Sequence, residues 1–120
     1  MKGTAKGIHL TNDAVQKHLK HYGEHEPNNK LSFQELDKYM LNNETFSLYK
    51  DVLPQMKTIA RDTCQAVGER LGGKSDVAFE LMGLDFLVDE LGRPWLLEVN
   101  TNPSLETSCN LLTRIIPEVL

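Results

Sequence analysis

The segment FELMGLDFLVDELGRPWLLEVN, residues 79–100, decides how this chain is read. Two apolar-rich runs flank Glu90-Leu91-Gly92-Arg93, a short polar stretch containing glycine. That is the pattern of two antiparallel strands joined by a tight turn. Strands are predicted over 77–89 and 94–100. With Asp89 taken opposite Pro94, antiparallel counting sets Asp85 opposite Glu98 and Gly83 opposite Asn100. Side chains alternate between the two faces of a sheet. One face then carries Met82, Leu84, Phe86, Val88, Trp95, Leu97 and Val99, all apolar, and is expected to meet the core. The other carries Gly83, Asp85, Leu87, Asp89, Leu96, Glu98 and Asn100.

The second face concentrates the chemistry. Directly opposite residues have Cβ atoms about 4.5–5.5 Å apart, where like charges destabilise a sheet. Asp85 and Glu98 would repel each other at that range unless a cation lay between them. Two carboxylates and the amide oxygen of Asn100 form a hard-oxygen set that suits Mg²⁺, an ion that keeps waters and shares itself with phosphates. Gly83 leaves room beside Asn100. Leu87 and Leu96 could underlie a flat apolar group such as a purine. Acidic residues on the outer face of a hairpin are equally at home in water, and residue types alone leave both readings open. A register slip of one would send Asp85 and Glu98 to different faces.

Working outward, Ser32-Phe33-Gln34-Glu35 is a capping box, with Leu31 and Leu36 placed as a hydrophobic staple. It predicts a helix from Ser32 to about Asn43. A longer helix is expected over 51–71. Val52, Met56, Ile59, Ala60, Thr63, Val67 and Leu71 make one apolar stripe. Pro54 fits only in its first turn, and Gly72-Gly73 supplies the stop. Asn102-Pro103 reads as an N-cap with proline at the first helical position. It opens a last helix towards Leu120, with Leu105, Leu111, Leu112, Ile115 and Ile116 as core candidates and Pro117 ending or bending it. Residues 7–12 read as a short strand, 13–19 as a helical turn or two, and 22–30 as a polar loop.

Length and composition bound the rest. The chain has 120 residues, 40% hydrophobic and 25% charged, enough for one compact unit with one core. No apolar run approaches a membrane span and no signal peptide is evident. The net charge of −4 comes with no basic stripe, which excludes an ordinary nucleic-acid binder and gives no sign of an acidic partner. Cys64 and Cys109 lack partners at zinc spacing and are expected to be packing residues. Gly72-Gly73-Lys74 lacks the spacing of a P-loop, so Lys74 is expected to be solvated, as is Arg93 at the turn. No side-chain nucleophile is evident.

HLTNDAVQK (9–17), YGEHEPNNKLSFQEL (22–36), FELMGLDFLVDE (79–90) and PWLLEVNTNPSL (94–105) together resemble the C-terminal half of the tubulin–tyrosine ligase-like family, in the same order and spacing. The resemblance covers nearly the whole chain. It implies an α+β fold, the C-terminal portion of an ATP-grasp fold with an antiparallel sheet and packed helices, spanning 1–120 and incomplete. It implies an ATP-dependent carboxylate–amine ligase, in which an acylphosphate is attacked by an amine. In that family the acid of GLDF and the Glu and Asn of LEVN hold Mg²⁺ on ATP; here these are Asp85, Glu98 and Asn100.

By the same resemblance Leu87 contacts adenine, Thr11 and Asn12 line the amino-acid and phosphate side, and His9 lies near the acceptor. Read as structure alone, His9 is a strand residue and Thr11-Asn12 cap the following turn. The implied reaction is glutamylation, glycylation or tyrosination, and the implied partners are tubulin C-terminal tails or microtubules and an amino acid, glutamate or glycine foremost, with no nucleic acid and no membrane. The implied location is the cytoplasm and cytoskeleton, including the cilium or basal body. The chain end at Leu120 reads as a cut, and the upstream phosphate-gripping residues are absent, so these residues alone are expected to have little ligase activity. The alternatives are an inactive fragment or pseudoenzyme serving as a binding module, and an ATP-grasp ligase with a non-tubulin acceptor.

Overall fold

The computed structural model describes residues 10, 12–24, 30–68, 70 and 79–119. In chain order the elements are α1 (Asp13–Gln16), α2 (Phe33–Asn43), a π-helical turn (Leu48–Val52), α3 (Leu53–Gly68), β1 (Gly83–Val88), β2 (Pro94–Asn100) and α4 (Asn110–Val119). The expected strand over 7–12, the Gly72-Gly73 stop and Lys74 lie outside the described residues, apart from Leu10 and Asn12. The chain divides into two compact units, one of residues 33–104 and one formed by 1–32 with 105–120. Among the described residues no helix is long and apolar enough to cross a membrane.

In the unit of residues 33–104, Met40, Leu48 and Val52 form the buried core, with Leu36, Phe46, Met56 and Val88 packed against it. Helix α2 starts one residue after Ser32, as the capping box predicts, and Ser32 itself is buried. The second helix starts earlier than expected, through the π-helical turn. Ser47 is extended there (φ −107°, ψ 140°), and its hydroxyl oxygen accepts from the amide of Lys50. Asp37 Oδ1 accepts from the Ser47 hydroxyl at 2.8 Å and from the Leu48 amide at 2.7 Å. Asp51 Oδ2 takes the Ser47 amide at 2.7 Å. Two carboxylates thus satisfy the amides that a helix start leaves without partners.

Pro54 sits in the first turn of α3, where its missing N–H costs nothing. Met56, Ile59, Ala60 and Thr63 are half-buried on the predicted stripe, whereas Val67 is exposed. Cys64 is exposed too, so it does not pack as expected: no residue of α3 is fully buried, and its C-terminal half leaves the core.

Strands β1 and β2 pair antiparallel, with Asp85 opposite Glu98 and Gly83 opposite Asn100, as counted from the sequence. Nearer the turn the expected register fails. Val88, not Asp89, faces Pro94, and a bulge between the two halves of the ladder leaves Leu97 unpaired. The turn explains the shift. The Gly92 amide donates to Asp89 O at 3.0 Å, the Asp89 amide donates to Arg93 O at 3.0 Å, and Gly92 has φ 74°. This is a tight turn closed by a glycine in the left-handed region, one residue shorter than assumed. Phe79 to Met82, expected in the first strand, lie before it, and Phe79 is 95% exposed.

In the other unit the Asn12 side chain caps α1, its Oδ1 accepting from the Ala14 amide at 2.9 Å. Asp13 accepts from the Tyr22 hydroxyl at 2.7 Å and from Lys30 Nζ at 3.4 Å. Helix α4 begins at Asn110 rather than Pro103, and residues 103–107 have no regular structure. Thr107 and Ser108 fall where side-chain oxygens compete for backbone partners. Leu105 is exposed rather than core, while Leu111, Leu112 and Ile116 are half-buried. The helix continues through Pro117 to Val119.

Candidate metal site

The site lies on one face of the hairpin. Asp85 on β1 and Glu98 on β2 face each other directly, and both are exposed. The Asp85 carboxyl is pushed above the usual carboxylate range, first by partial desolvation, then by a hydrogen bond with Glu98 and repulsion from its charge. Two acids in that relation are a cost to the bare protein and a gain once a cation lies between them. Asn100, half-buried at the end of β2, donates its Nδ2 to Glu98 Oε1 at 3.3 Å. That orientation leaves its amide oxygen available as a third hard ligand.

These residues fit a magnesium ion in donor type. Among the described residues there is no group of three or more His, Cys, Asp or Glu able to hold a metal. A cation at Asp85, Glu98 and Asn100 would therefore take its remaining ligands from water and phosphate, as Mg²⁺ does. Gly83 does not leave the room expected of it. A Cβ there would lie 3.1 Å from Pro103 Cβ and 3.8 Å from Asn100 Cβ, so Pro103 already fills the space.

The bulge changes which residues accompany the acids. Leu96 pairs with Phe86 and shares its half-buried face, so it cannot underlie a ligand beside Leu87. Trp95 takes that place: it pairs with Leu87, and the two are 54% and 50% exposed. Both expectations, Trp95 in the core face and Leu96 in the site face, are reversed by the same one-residue shift.

Asp89 holds this end of the face. Its Oδ1 accepts from the amides of Leu91 at 3.0 Å and Arg93 at 2.9 Å. Its Oδ2 accepts from Arg93 Nε at 2.8 Å and from Trp95 Nε1 at 3.0 Å. The Trp95 indole, with the Arg93 and Leu91 donors, holds the Asp89 carboxyl well below the usual carboxylate range. Arg93 is therefore partnered rather than simply solvated, and its guanidinium also lies 5.7 Å from the Trp95 ring centroid. The signal for all this was an aspartate three residues before a glycine, the spacing of a capped turn.

Of the remaining candidates, His9 and Thr11 lie outside the described residues, and Asn12 serves as the α1 cap.

Helices packed beside an antiparallel hairpin with an acidic face define an α+β protein with a candidate hard-cation site. The profile of the tubulin-tyrosine ligase family matches residues 2–120, and the chain belongs to that family. Its α+β architecture is accordingly a portion of an ATP-grasp fold. The chain is 34% identical to protein polyglycylase TTLL10 of Rattus norvegicus over 121 residues, 93% of this chain and 17% of the relative. It is 34% identical to the inactive polyglycylase TTLL10 of Homo sapiens over 123 residues, 95% of this chain and 18% of the relative. To tubulin glycylase 3B of Tetrahymena thermophila it is 27% identical over 124 residues, 94% of this chain and 10% of the relative. The chain thus spans less than a fifth of the length of these relatives.

Proposed function

We propose that this chain forms the Mg²⁺–ATP hairpin of an ATP-dependent ligase that adds an amino acid, glycine first among the candidates, to glutamate side chains of tubulin C-terminal tails in the cytoskeleton. The observation that carries the reading is the direct opposition of Asp85 and Glu98 with Asn100 at the same end of the sheet. The choice of glycine follows the glycylase names of the relatives.

In this reaction the γ-phosphoryl group of ATP passes to the acceptor carboxylate and ADP leaves. The amino group then attacks the acyl carbon, phosphate departs, and an isopeptide bond remains. When bound, the metal offsets charge on the transferring phosphoryl group. Asp85 and Glu98 would hold it through their carboxyl oxygens, and Asn100 would keep Glu98 oriented through its amide. Positioning does the remainder, so no side-chain nucleophile is required.

The test uses a protein carrying the full family length with this segment in place, supplied with ATP, Mg²⁺, tubulin and labelled glycine or glutamate. ATP-dependent glycine incorporation that Asp85→Asn abolishes is expected. Incorporation that survives Asp85→Asn would overturn the role of the hairpin.

Two other readings have specific support. The human relative bears the name inactive polyglycylase, which favours a non-catalytic binding module; binding of Mg²⁺ and ATP without transfer of either amino acid would establish it. The polyglycylase name also leaves the acceptor open, and incorporation into a non-tubulin protein in the same assay would identify that case.

A further inference from the structure

We propose that Gly83 and Pro103 are positioning residues of the metal site: their contact folds the chain back over the end of the hairpin and fixes Asn100 in the orientation that aligns Glu98 for a divalent cation. The inference rests on the reading of Asp85, Glu98 and Asn100 as a Mg²⁺ face.

Gly83 is the cross-strand partner of Asn100 at the end of the ladder, and Asp85 is the partner of Glu98 two residues along each strand. Side chains two residues apart on a strand share a face, so position 83 lies on the face of the two acids. A Cβ there would stand 3.1 Å from Pro103 Cβ and 3.8 Å from Asn100 Cβ. Both residues close over the same spot, and the missing side chain of Gly83 is what lets them. Directly opposed Cβ atoms ordinarily lie about 4.5–5.5 Å apart, so a side chain at 83 would crowd Asn100 as well as Pro103.

The chain reaches this contact by reversing. Strand β2 ends at Asn100, Thr101 and Asn102 form an exposed bend, and Pro103 is half-buried. The position of a Cβ is set by its own backbone, so no rotamer change relieves the crowding; the bend or Asn100 must move. Proline also fixes φ at the point of contact. Asn100 immediately precedes the bend, and its Nδ2 donates to Glu98 Oε1 at 3.3 Å. Groups that orient a ligating carboxylate control metal affinity together with the ligands themselves. Gly83 and Pro103 thus act through Asn100 and Glu98 rather than by touching the ion.

The experiment titrates the full chain with Mg²⁺ alone in the millimolar range. It follows amide NMR signals, the Asn100 side-chain amide among them, and measures urea midpoints in parallel. The parent is expected to bind, with shifts in the hairpin signals. Gly83→Ala is expected to move the Asn100 side-chain signal before metal is added. It should weaken Mg²⁺ binding about 10-fold, the order of loss for an outer partner of a metal ligand. Pro103→Gly, which opens the contact instead of crowding it, should act in the same direction. Gly83→Ala combined with Pro103→Gly should recover most of the affinity, because the new methyl takes the place of the lost Cβ. Gly92→Ala, at the other end of the hairpin, should lower the urea midpoint and leave Mg²⁺ affinity unchanged.

Mg²⁺ binding equal to the parent's in both Gly83→Ala and Pro103→Gly would overturn the positioning role and leave the metal reading intact. Equal losses of affinity in Gly92→Ala and Gly83→Ala would assign the effect to general destabilisation and overturn it too. A parent that does not bind Mg²⁺ would overturn both readings. Should Gly83→Ala fail to fold, Pro103→Gly decides alone by the same measurements.

Discussion

Phe46 packs directly against the α-carbon of Gly92, so that a Cβ at position 92 would lie 2.8 Å from Phe46 Cγ and 3.0 Å from its Cδ1 and Cδ2. Phe46 belongs to the shell around the buried core, and Gly92 has φ 74°. Gly92→Ala therefore meets two penalties, a left-handed backbone and an overpacked contact. Together they should cost about 2–4 kcal/mol, measurable as a fall in the urea midpoint. Adding Phe46→Leu should recover the packing part and not the dihedral part. A Gly92→Ala chain as stable as the parent would show that the turn yields freely.

Asp89 makes acid stability depend on the turn. Its folded carboxyl titrates below the ordinary value of 3.8, chiefly through the Trp95 indole. The sign follows from linkage: the unfolded state binds the proton first, so the contribution is complete above that ordinary value and fades as pH falls below it. Asp89→Asn should lower the thermal midpoint at neutral pH, with the gap to the parent closing below about pH 4. A gap of constant size across pH 3 to 7 would separate the effect from the carboxylate charge.

The hairpin shows how far the sequence could be read. Alternation and a glycine-containing turn were sufficient to bring Asp85 opposite Glu98, because two departures from a regular ladder cancel. The turn is one residue shorter than counted, and the bulge at Leu97 inserts one residue back. The pairs beyond the bulge therefore match the counting, while Trp95 and Leu96, between turn and bulge, exchange faces; Leu97 in the bulge and Val99 beyond it are exposed, although both are expected to meet the core. A bulge has no fixed residue signature when an apolar residue fills it, so the compensation was invisible to periodicity.

The same holds for helix starts. The capping box marked α2 because both partners are local in sequence. The start at Ser47 was missed because one of its caps, Asp37, lies ten residues upstream. A polar group supplied by another element leaves no pattern in a short window.

That remote cap carries its own prediction. Asp37 Oδ1 is shared by the Ser47 hydroxyl, the Leu48 amide and, at 3.4 Å, the Tyr49 amide. Ser47 and Leu48 are buried. Asp37→Ala strips their acceptor without giving water full access, and should cost about 2–4 kcal/mol. Asp37→Asn, which keeps one acceptor oxygen, should cost less than half as much. Chemical denaturation of the two variants decides the point; equal losses would assign the effect to the charge rather than to the cap.

Glu98→Gln separates a cation site from a solvated acidic face. The substitution removes the charge opposed to Asp85 and keeps the oxygen that accepts from Asn100. Without divalent metal, relief of cross-strand repulsion should leave the variant as stable as the parent or slightly more stable, by up to about 1 kcal/mol. With Mg²⁺ the parent's thermal midpoint should rise, because an ion that binds only the folded hairpin stabilises it by mass action. The variant's midpoint should stay flat across the same titration. A parent that is indifferent to millimolar Mg²⁺, or a variant that responds equally, would return both acids to the role of solvated surface charges. In that event the repulsion would be a standing cost that the hairpin tolerates through its turn and its packing against Phe46.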